Sequence, residues 1–429
     1  MKMKIFFSLF VIFFISACSN KLLDNYIETY NSNLEYGNIN KDGEVINKVR
    51  NINTKTLNVG LFLPLSGKLE YIGNSLLNSA ELSIFDNNKN NLFLNVYDTK
   101  GTTFGAIDAM NNAIKDGVDV IIGPLLSEET RAISDLAEKN DIIVFSLSND
   151  QKLRNTTNIF ISGSILEQEI ELLLSTLINN SITNFVAYLP NNAYGSLVND
   201  ILKEKLKAKD ANLIKVDFYN ATGEDQMFDN KLLSLVNSYK ASEEYLAKYE
   251  ENKANGKATE FLVNDEDKIK PQVLFIADGG NIAEKVGLSL YKFKEKLDNP
   301  NIQLAGLSKL EGDKNVMENP YLDKIIFVGS DSEKYKEFED KYYKVYKAYP
   351  TKVASIVYDL LNTVDNFFNK QNGIFVINKE ELLYPFGYNG IDGKFRFLPN
   401  GLVERNMFIL QNQNKQKVLI DTNQEFLNY

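Results

Sequence analysis

The side chains that could do chemistry in this chain are mainly carboxylates, amines and hydroxyls. The sequence holds 57 acidic and 47 basic residues, no histidine, no tryptophan and a single cysteine, Cys18. Ser-His-Asp and Cys-His triads, and zinc sites made of histidine or several thiolates, therefore cannot be built. A Ser-Lys pair or a glycosidase-like pair of carboxylates could still form. However, no serine lies in an activating motif and tryptophan, the usual sugar-stacking residue, is missing. We therefore expect no catalysis, no cofactor and no metal.

Cys18 has a second possible chemistry, because it lies at the end of a secretory signal pattern. Two lysines open the chain, an apolar run covers residues 5–15, and Ser16 and Ala17 precede the cysteine. The run is about half the length of a membrane-spanning helix. The pattern resembles the bacterial lipobox, which implies cleavage after residue 17 and acylation of Cys18. We expect a lipid-anchored protein of the cell envelope that faces the periplasm, on the outer membrane rather than the inner.

The rest of the chain must position the functional residues, and its first part looks like a tether. Residues 18–56 are polar, rich in asparagine and without an apolar period. As a flexible chain they would hold the folded part on the order of 35 Å from the membrane. The formal net charge of −10 argues against nucleic acid as a partner, since binding to phosphates needs a basic surface.

From residue 57 onward, short apolar runs alternate with helical periods in two successive series, the pattern of βαβ units. In the first series, strands are predicted at residues 57–63, 92–97, 118–122 and 142–145, and a helix at residues 127–139. In the second series, strands are predicted at residues 184–189, 213–218, 273–276, 302–305 and 325–328. Residues 390–405 carry turn residues and alternate like a hairpin. Residues 243–270 contain eight acids and five lysines, and form either a solvated insertion or a protruding hairpin that docks a partner.

Three stretches resemble the type I periplasmic binding proteins of the leucine/isoleucine/valine-binding group. They are residues 59–67 (VGLFLPLSG) followed by Tyr71 and Gly73, residues 121–127 (IIGPLLS), and residues 393–401 (GKFRFLPNG). The resemblance covers roughly residues 57–412. It implies an α/β fold of two Rossmann-like, doubly wound lobes joined by three crossings, near residues 161–164, 328–331 and 390–397. Lobe one would hold residues 57–163 and 329–392, lobe two residues 164–328 and 393–429, with a ligand captured between them.

Within that family, the chain looks most like the lipoprotein activators of penicillin-binding proteins. The shared features are the lipobox, the opening FLPLSGKLEYIG of residues 62–73 and the polar insertion before the strand at residues 273–276. The long helical repeat region that precedes this fold in some activators is not found here, and the tether takes its place.

Ligands of open α/β sheets lie at the carboxyl ends of the strands. This rule nominates seven ligand-binding candidates: Ser66, Tyr71, Ser127, Ser146, Ser148, Tyr194 and Asp278. Each also has a purely structural interpretation, and Ser127 in particular is a good helix N-cap. In the amino-acid binders that this chain resembles, the ligand carboxylate lies at the start of the helix that here begins Ser127-Glu128-Glu129. A ligand carboxylate about 6 Å from either glutamate would be repelled by roughly 3 kcal/mol, so we expect no free amino acid there.

The sequence therefore predicts a non-catalytic envelope lipoprotein that activates or regulates peptidoglycan synthesis by a penicillin-binding protein. The alternative is the substrate-binding lipoprotein of an ABC importer for amino acids or another small solute, with an ABC permease as partner. A Ser-Lys or carboxylate hydrolase is the third hypothesis, and it would need converging catalytic groups with perturbed pKa values.

Overall fold

The computed structural model describes residues 51–87, 91–220, 227–257, 260–311, 314–330 and 332–422. The predicted signal peptide, Cys18 and most of the tether lie outside the described residues. Over the ranges given above, no helix has the length and apolar character needed to cross a membrane. The chain divides into two compact units. The first takes the described residues up to Ile165 and Glu333–Asn406, and the second takes Leu166–Ser332 and the described residues from Met407 onward.

The first series of elements builds most of unit one. Strands and helices alternate because short apolar runs form buried strands and longer amphipathic stretches form the helices that cover them. The elements are β1 (Ile52–Thr54), β2 (Leu57–Leu63), α1 (Glu70–Asn87), β3 (Leu92–Asp98), α2 (Thr103–Lys115), β4 (Val120–Ile122), α3 (Ser127–Lys139), β5 (Ile143–Ser146) and β6 (Ile159–Ile161).

The second series builds unit two. Its elements are α4 (Leu166–Asn179), β7 (Asn184–Pro190), α5 (Ala193–Ala208), β8 (Asn212–Tyr219), α6 (Phe228–Val236), β9 (Lys240–Ala241), α7 (Glu243–Ala254), β10 (Lys268–Ile269), β11 (Val273–Ile276), α8 (Gly280–Lys292), β12 (Gln303–Gly306), α9 (Lys314–Glu318) and β13 (Ile326–Gly329). The predicted insertion thus contains a helix, and the short antiparallel pair β9–β10 closes its base.

The last elements return to unit one and then add two strands to unit two. They are α10 (Ser332–Tyr346), α11 (Ala354–Asn366), β14 (Phe368–Asn369), β15 (Ile374–Ile377), α12 (Lys379–Leu382), β16 (Phe395–Phe397), β17 (Val403–Arg405), β18 (Phe408–Gln413) and β19 (Gln416–Thr422). The predicted hairpin near the end of the chain is the antiparallel pair β16–β17.

The parallel sheets of the two units share one strand order. In unit one the order is β3-β2-β4-β5-β6, and all neighbours are parallel. In unit two the order is β8-β7-β11-β12-β13, and β18 and β19 extend that sheet in antiparallel fashion. Numbered within each unit, both orders read 2-1-3-4-5, which is a doubly wound arrangement.

Each unit has its own apolar core. Among the described residues, unit one has a single cluster that β2, β4 and β5 share with the inner faces of α1 and α11. In unit two the sheet separates two clusters, because successive side chains of a strand point to opposite faces. Along β7, Phe185 and Ala187 belong to one cluster, whereas Val186 and Tyr188 belong to the other.

Two details differ from the sequence expectations. Residues 52–54, expected in the tether, form β1 and pair with β15, and Ile52 is buried. Residues 393–406, expected in lobe two, belong to unit one because Phe397 of β16 packs on Phe145 and Phe160, with ring centroids 5.2 and 5.4 Å apart. The third passage between units therefore follows Asn406.

Candidate functional site

The shared strand order creates one switch point in each sheet. It lies between β2 and β4 in unit one and between β7 and β11 in unit two, where consecutive connections leave in opposite directions. Such crevices at the carboxyl ends of strands are where α/β proteins bind ligands. Ser66 and Ser127 follow β2 and β4, and Tyr194 and Asp278 follow β7 and β11. Four of the seven predicted residues therefore lie beside a switch point.

Ser66 is held by Asp98, an acid that the sequence analysis did not nominate. The Ser66 hydroxyl donates to Oδ2 of Asp98 at 2.7 Å, and the backbone N–H of Leu65 donates to Oδ1 at 2.9 Å. Partial burial raises the pKa of Asp98, but these bonds and a backbone bond from Lys100 outweigh it, so the pKa lies below its ordinary value. Asp98 therefore fixes the loop after β2 as a carboxylate. Since Asp98 ends β3, the strand-end rule would have found it.

Ser127, Ser146 and Ser148 form one connected network. The Ser148 hydroxyl donates to Oγ of Ser127 at 2.9 Å, and the backbone N–H of Ser148 donates to Oγ of Ser146 at 3.2 Å. Ser146 also shares a 2.6 Å hydrogen bond with Thr130 of α3. These hydroxyls are engaged in joining the loop after β5 to the start of α3. The helix begins at Ser127 with Leu126 as its N-cap, so the N-cap role proposed for Ser127 is wrong.

The two glutamates at the start of α3 do not act as the sequence argument assumed. Glu128 is exposed, whereas Glu129 is 1% exposed and turns back on its own helix, where Oε2 accepts the backbone N–H of Leu126 at 3.0 Å. Burial raises the pKa of Glu129, and hydrogen bonds from Thr99 and from backbone N–H groups oppose that rise only in part. The repulsion expected from this carboxylate is therefore smaller than a fully charged, outward-pointing glutamate would produce.

Tyr71 lies in the first turn of α1 and is 68% exposed. Its hydroxyl has no hydrogen-bond partner within the described part of the chain. The structure therefore leaves Tyr71 free to meet a ligand or a partner, but does not preorganise it.

Unit two brings the other two predicted residues together. The Tyr194 hydroxyl donates to the carbonyl oxygen of Ala277, next to Asp278, at 3.2 Å. The next residue, Gly195, lets the start of α5 approach the end of β7, since a Cβ at that position would lie 1.9 Å from the carbonyl oxygen of Pro190. The hydroxyl of Tyr219, at the end of β8, donates to Oδ2 of Asp278 at 2.7 Å. Burial raises the pKa of both tyrosines, and the Asp278 charge adds to the effect.

A lysine that the sequence analysis missed completes this cluster. The Lys309 ammonium lies 3.8 Å from the centroid of the Tyr194 ring and 3.1 Å from Oδ1 of Asp278. An aromatic face beside a carboxylate is a favourable site for a cation. In this chain the cation is its own side chain. We call Tyr194, Asp278 and Lys309 the self-filled cation site. Lys309 follows β12 just as Asp278 follows β11, so the strand-end rule applied to every strand would have nominated it.

The loop that carries Lys309 is anchored next to this site. Both the backbone N–H and the hydroxyl of Ser308 donate to the Glu169 carboxylate, at 3.1 and 2.8 Å. Glu169 is 5% exposed. A buried carboxylate with two such donors holds the loop after β12 in place, so the position of Lys309 is built into the fold of unit two.

Comparison with known proteins gives one family match. A family model described as "LppC putative lipoprotein" matches residues 43–260, which is half of the chain. An uncharacterized protein of Rickettsia prowazekii (strain Madrid E) is 22% identical over 218 residues, or 51% of this chain and 52% of that protein. The penicillin-binding protein activator LpoA of Histophilus somni (strain 129Pt) is 27% identical over 175 residues, or 40% of this chain and 29% of LpoA. The chain thus spans about half, or less, of these relatives.

Solved structures show the same fold. A branched chain amino acid ABC transporter periplasmic ligand-binding protein from Burkholderia xenovorans LB400 matches with a TM-score of 0.65 and 14% identity, over 87% of this chain and 97% of that one. At 14% sequence identity, this similarity is evidence for the fold only. It confirms the predicted α/β class, with doubly wound lobes of the type I periplasmic-binding-protein kind, and the match to LpoA confirms the relationship to that branch.

Proposed function

Because the chain belongs to the LppC family of putative lipoproteins, we propose that it is a non-catalytic envelope lipoprotein that activates a penicillin-binding protein. In this proposal acylation of Cys18 holds the protein on a membrane, and the folded units act by contact with the synthase. The named function of the Histophilus somni relatives supports the proposal, although the matched segment covers under a third of their length.

The observation that carries the proposal is the self-filled cation site. The binding protein of an importer must present side chains that are free to bind its ligand. In unit two the aromatic face of Tyr194 and one oxygen of Asp278 are already engaged by Lys309. A ligand ammonium would have to displace that lysine and leave its charge without these partners, which lowers affinity. The geometry therefore favours action through protein contact over delivery of an amino acid.

The test is reconstitution of the full-length lipoprotein with a purified penicillin-binding protein from the same organism. We expect a complex, and a several-fold increase in the rate of glycan polymerisation or cross-linking when the lipoprotein is added. A denatured sample of the lipoprotein serves as the control.

The competing importer hypothesis makes the opposite prediction. It requires tight binding of a small solute, co-purification with an inner-membrane permease, and slow growth of a deletion strain only when that solute is limiting. Those results, together with a synthase rate that the lipoprotein does not change, would refute the proposed activator function and support the importer hypothesis.

A further inference from the structure

The insertion between β9 and β10, residues 242–267, is called the excursion. It carries apolar side chains that do not pack into the core of unit two. Helix α7 has no buried residue. The rings of Tyr245, Tyr249 and Phe261 nevertheless lie together, and Leu262 follows Phe261 in the chain. We call these four residues the aromatic patch. Phe261 is 48% exposed and Leu262 is 65% exposed. Exposed apolar groups gathered in one place mark interaction sites more often than isolated ones do.

The patch is ordered by its own contacts. The Phe261 ring packs edge-on against both tyrosine rings, with centroid distances of 4.9 Å to Tyr249 and 5.4 Å to Tyr245. The Tyr245 hydroxyl donates to the carbonyl oxygen of Leu262 at 2.6 Å. These contacts attach α7 to the returning chain and fix the rings, so little side-chain entropy would be lost when a partner covers them. Rigid aromatic groups of this kind are typical anchors of protein interfaces.

The charges around the patch select the kind of partner. Residues 243–270 carry eight acids and five lysines. Two of those lysines, Lys268 and Lys270, are paired with one acid, Asp265, at 3.0 and 3.4 Å. The segment that carries the patch therefore has a surplus of acidic residues. It repels a second copy of the same surface and an anionic lipid surface, and it attracts a basic one.

We propose that the aromatic patch docks into an apolar pocket within a basic surface of the penicillin-binding protein. This inference rests on the proposed function and adds to it the residues and the charge of the contact. Apolar burial would supply affinity, while the acidic surround would speed association and fix orientation.

The first test is Leu262→Ser in the full-length protein, with Leu288→Ser as the matched control. Leu288 is 45% exposed on α8 of the same unit, outside the patch. Affinity for the purified synthase is measured by biolayer interferometry, and folding by circular dichroism. We expect Leu262→Ser to weaken binding roughly tenfold and Leu288→Ser to change it by less than about twofold. Equal affinities of the two variants would overturn the inference.

The second test addresses charge with Glu250→Lys combined with Glu251→Lys, and Glu284→Lys of α8 as the control. All three glutamates are exposed. We expect the paired reversal to slow association roughly fivefold or more, and the wild-type rate to fall as salt is raised from about 0.05 M to about 0.5 M. An association rate that neither change affects would contradict the basic partner surface.

Other outcomes separate this inference from the function on which it rests. If wild type binds the synthase and Leu262→Ser binds equally well, only the patch is refuted. If wild type neither binds nor stimulates the synthase, the proposed function fails and the inference fails with it. Two further results would also overturn the inference. They are self-association of wild type in sedimentation, or binding of the unlipidated protein to phosphatidylserine vesicles, where Leu262→Ser abolishes that self-association or that binding.

Discussion

Lys309→Met tests the self-filled cation site directly, since methionine keeps an apolar stem and removes the ammonium. In the wild type this ammonium lies 3.8 Å from the Tyr194 ring centroid and 3.1 Å from Asp278, and the Lys309 side chain is 48% exposed. A cation–π contact at an exposed site stabilises by about 0.5 to 1 kcal/mol, and an exposed ion pair by about 0.2 to 1 kcal/mol. We therefore expect the variant to lose about 1 kcal/mol of unfolding free energy.

The effect on ligands follows from the same distances. If Lys309 were not displaced, a ligand ammonium that contacted Tyr194 and Asp278 would lie on the order of 4 Å from the Lys309 ammonium. The repulsion would be about 4 kcal/mol at an effective dielectric constant of 20 and about 1 kcal/mol in bulk water. Since Lys309 is half exposed, solvent screening places the real value between these limits. Removing the ammonium should then raise the affinity for a small cation at least roughly fivefold.

The assay is titration calorimetry with leucine, isoleucine, valine and ethylammonium. Wild type should give no measurable heat of binding with the three amino acids at millimolar concentration. Lys309→Met should bind ethylammonium more tightly than wild type does.

Lys292→Met is the matched control, because Lys292 also pairs with an aspartate, Asp229 at 3.4 Å, and lies 4.7 Å from an aromatic centroid, that of Phe293. It should lose similar stability and leave ethylammonium binding unchanged. Submicromolar binding of any of the three amino acids by wild type would refute the reasoning, and equal ethylammonium affinities of Lys309→Met and wild type would do the same.

Three further predictions concern the anchor, the loop after β2 and the excursion. Cys18→Ser should release the protein from the membrane fraction or leave an uncleaved precursor on immunoblots, and a normally processed, membrane-bound variant would contradict lipidation. Asp98→Ala should cost about 1 to 3 kcal/mol in urea unfolding at pH 7, since the carboxylate accepts bonds from Leu65, Ser66 and Lys100. Because the folded pKa of Asp98 is lowered, its contribution to the free energy of unfolding is present above the unfolded pKa of about 4 and is lost as pH falls. The free energy of unfolding of the variant should therefore fall less steeply than that of wild type as the solution is acidified. Replacing residues 242–267 by Asn-Gly should keep the free energy of unfolding within about 1 kcal/mol of the wild-type value, because Ala241 already pairs with Lys268 and α7 has no buried residue. Loss of a cooperative unfolding transition in this variant would show that the excursion is part of the core.

Local pattern was enough to predict nine of the ten strands that make up the two parallel sheets, and the fold class. The helix over residues 127–139 and the strand over residues 273–276 have the predicted bounds, because their apolar periods are long or bounded by turn residues. The pattern failed where tertiary contacts outweigh it. Residues 52–54 read as polar tether, yet they form a strand because β15 offers its backbone to pair with them.

The sequence also determined which edges of the sheets would carry functional groups, since parallel strands place their following loops on one side. Only the tertiary structure decided which of those groups meet. Lys309 reaches Asp278 because β12 lies beside β11 in parallel register, with Ala305 opposite Phe275. Glu129 points away from the edge because its carboxylate accepts the backbone N–H of Leu126 at the start of its own helix. Strand order and side-chain burial set these contacts, and neither can be read from residues that lie some 30 positions apart in a single sequence.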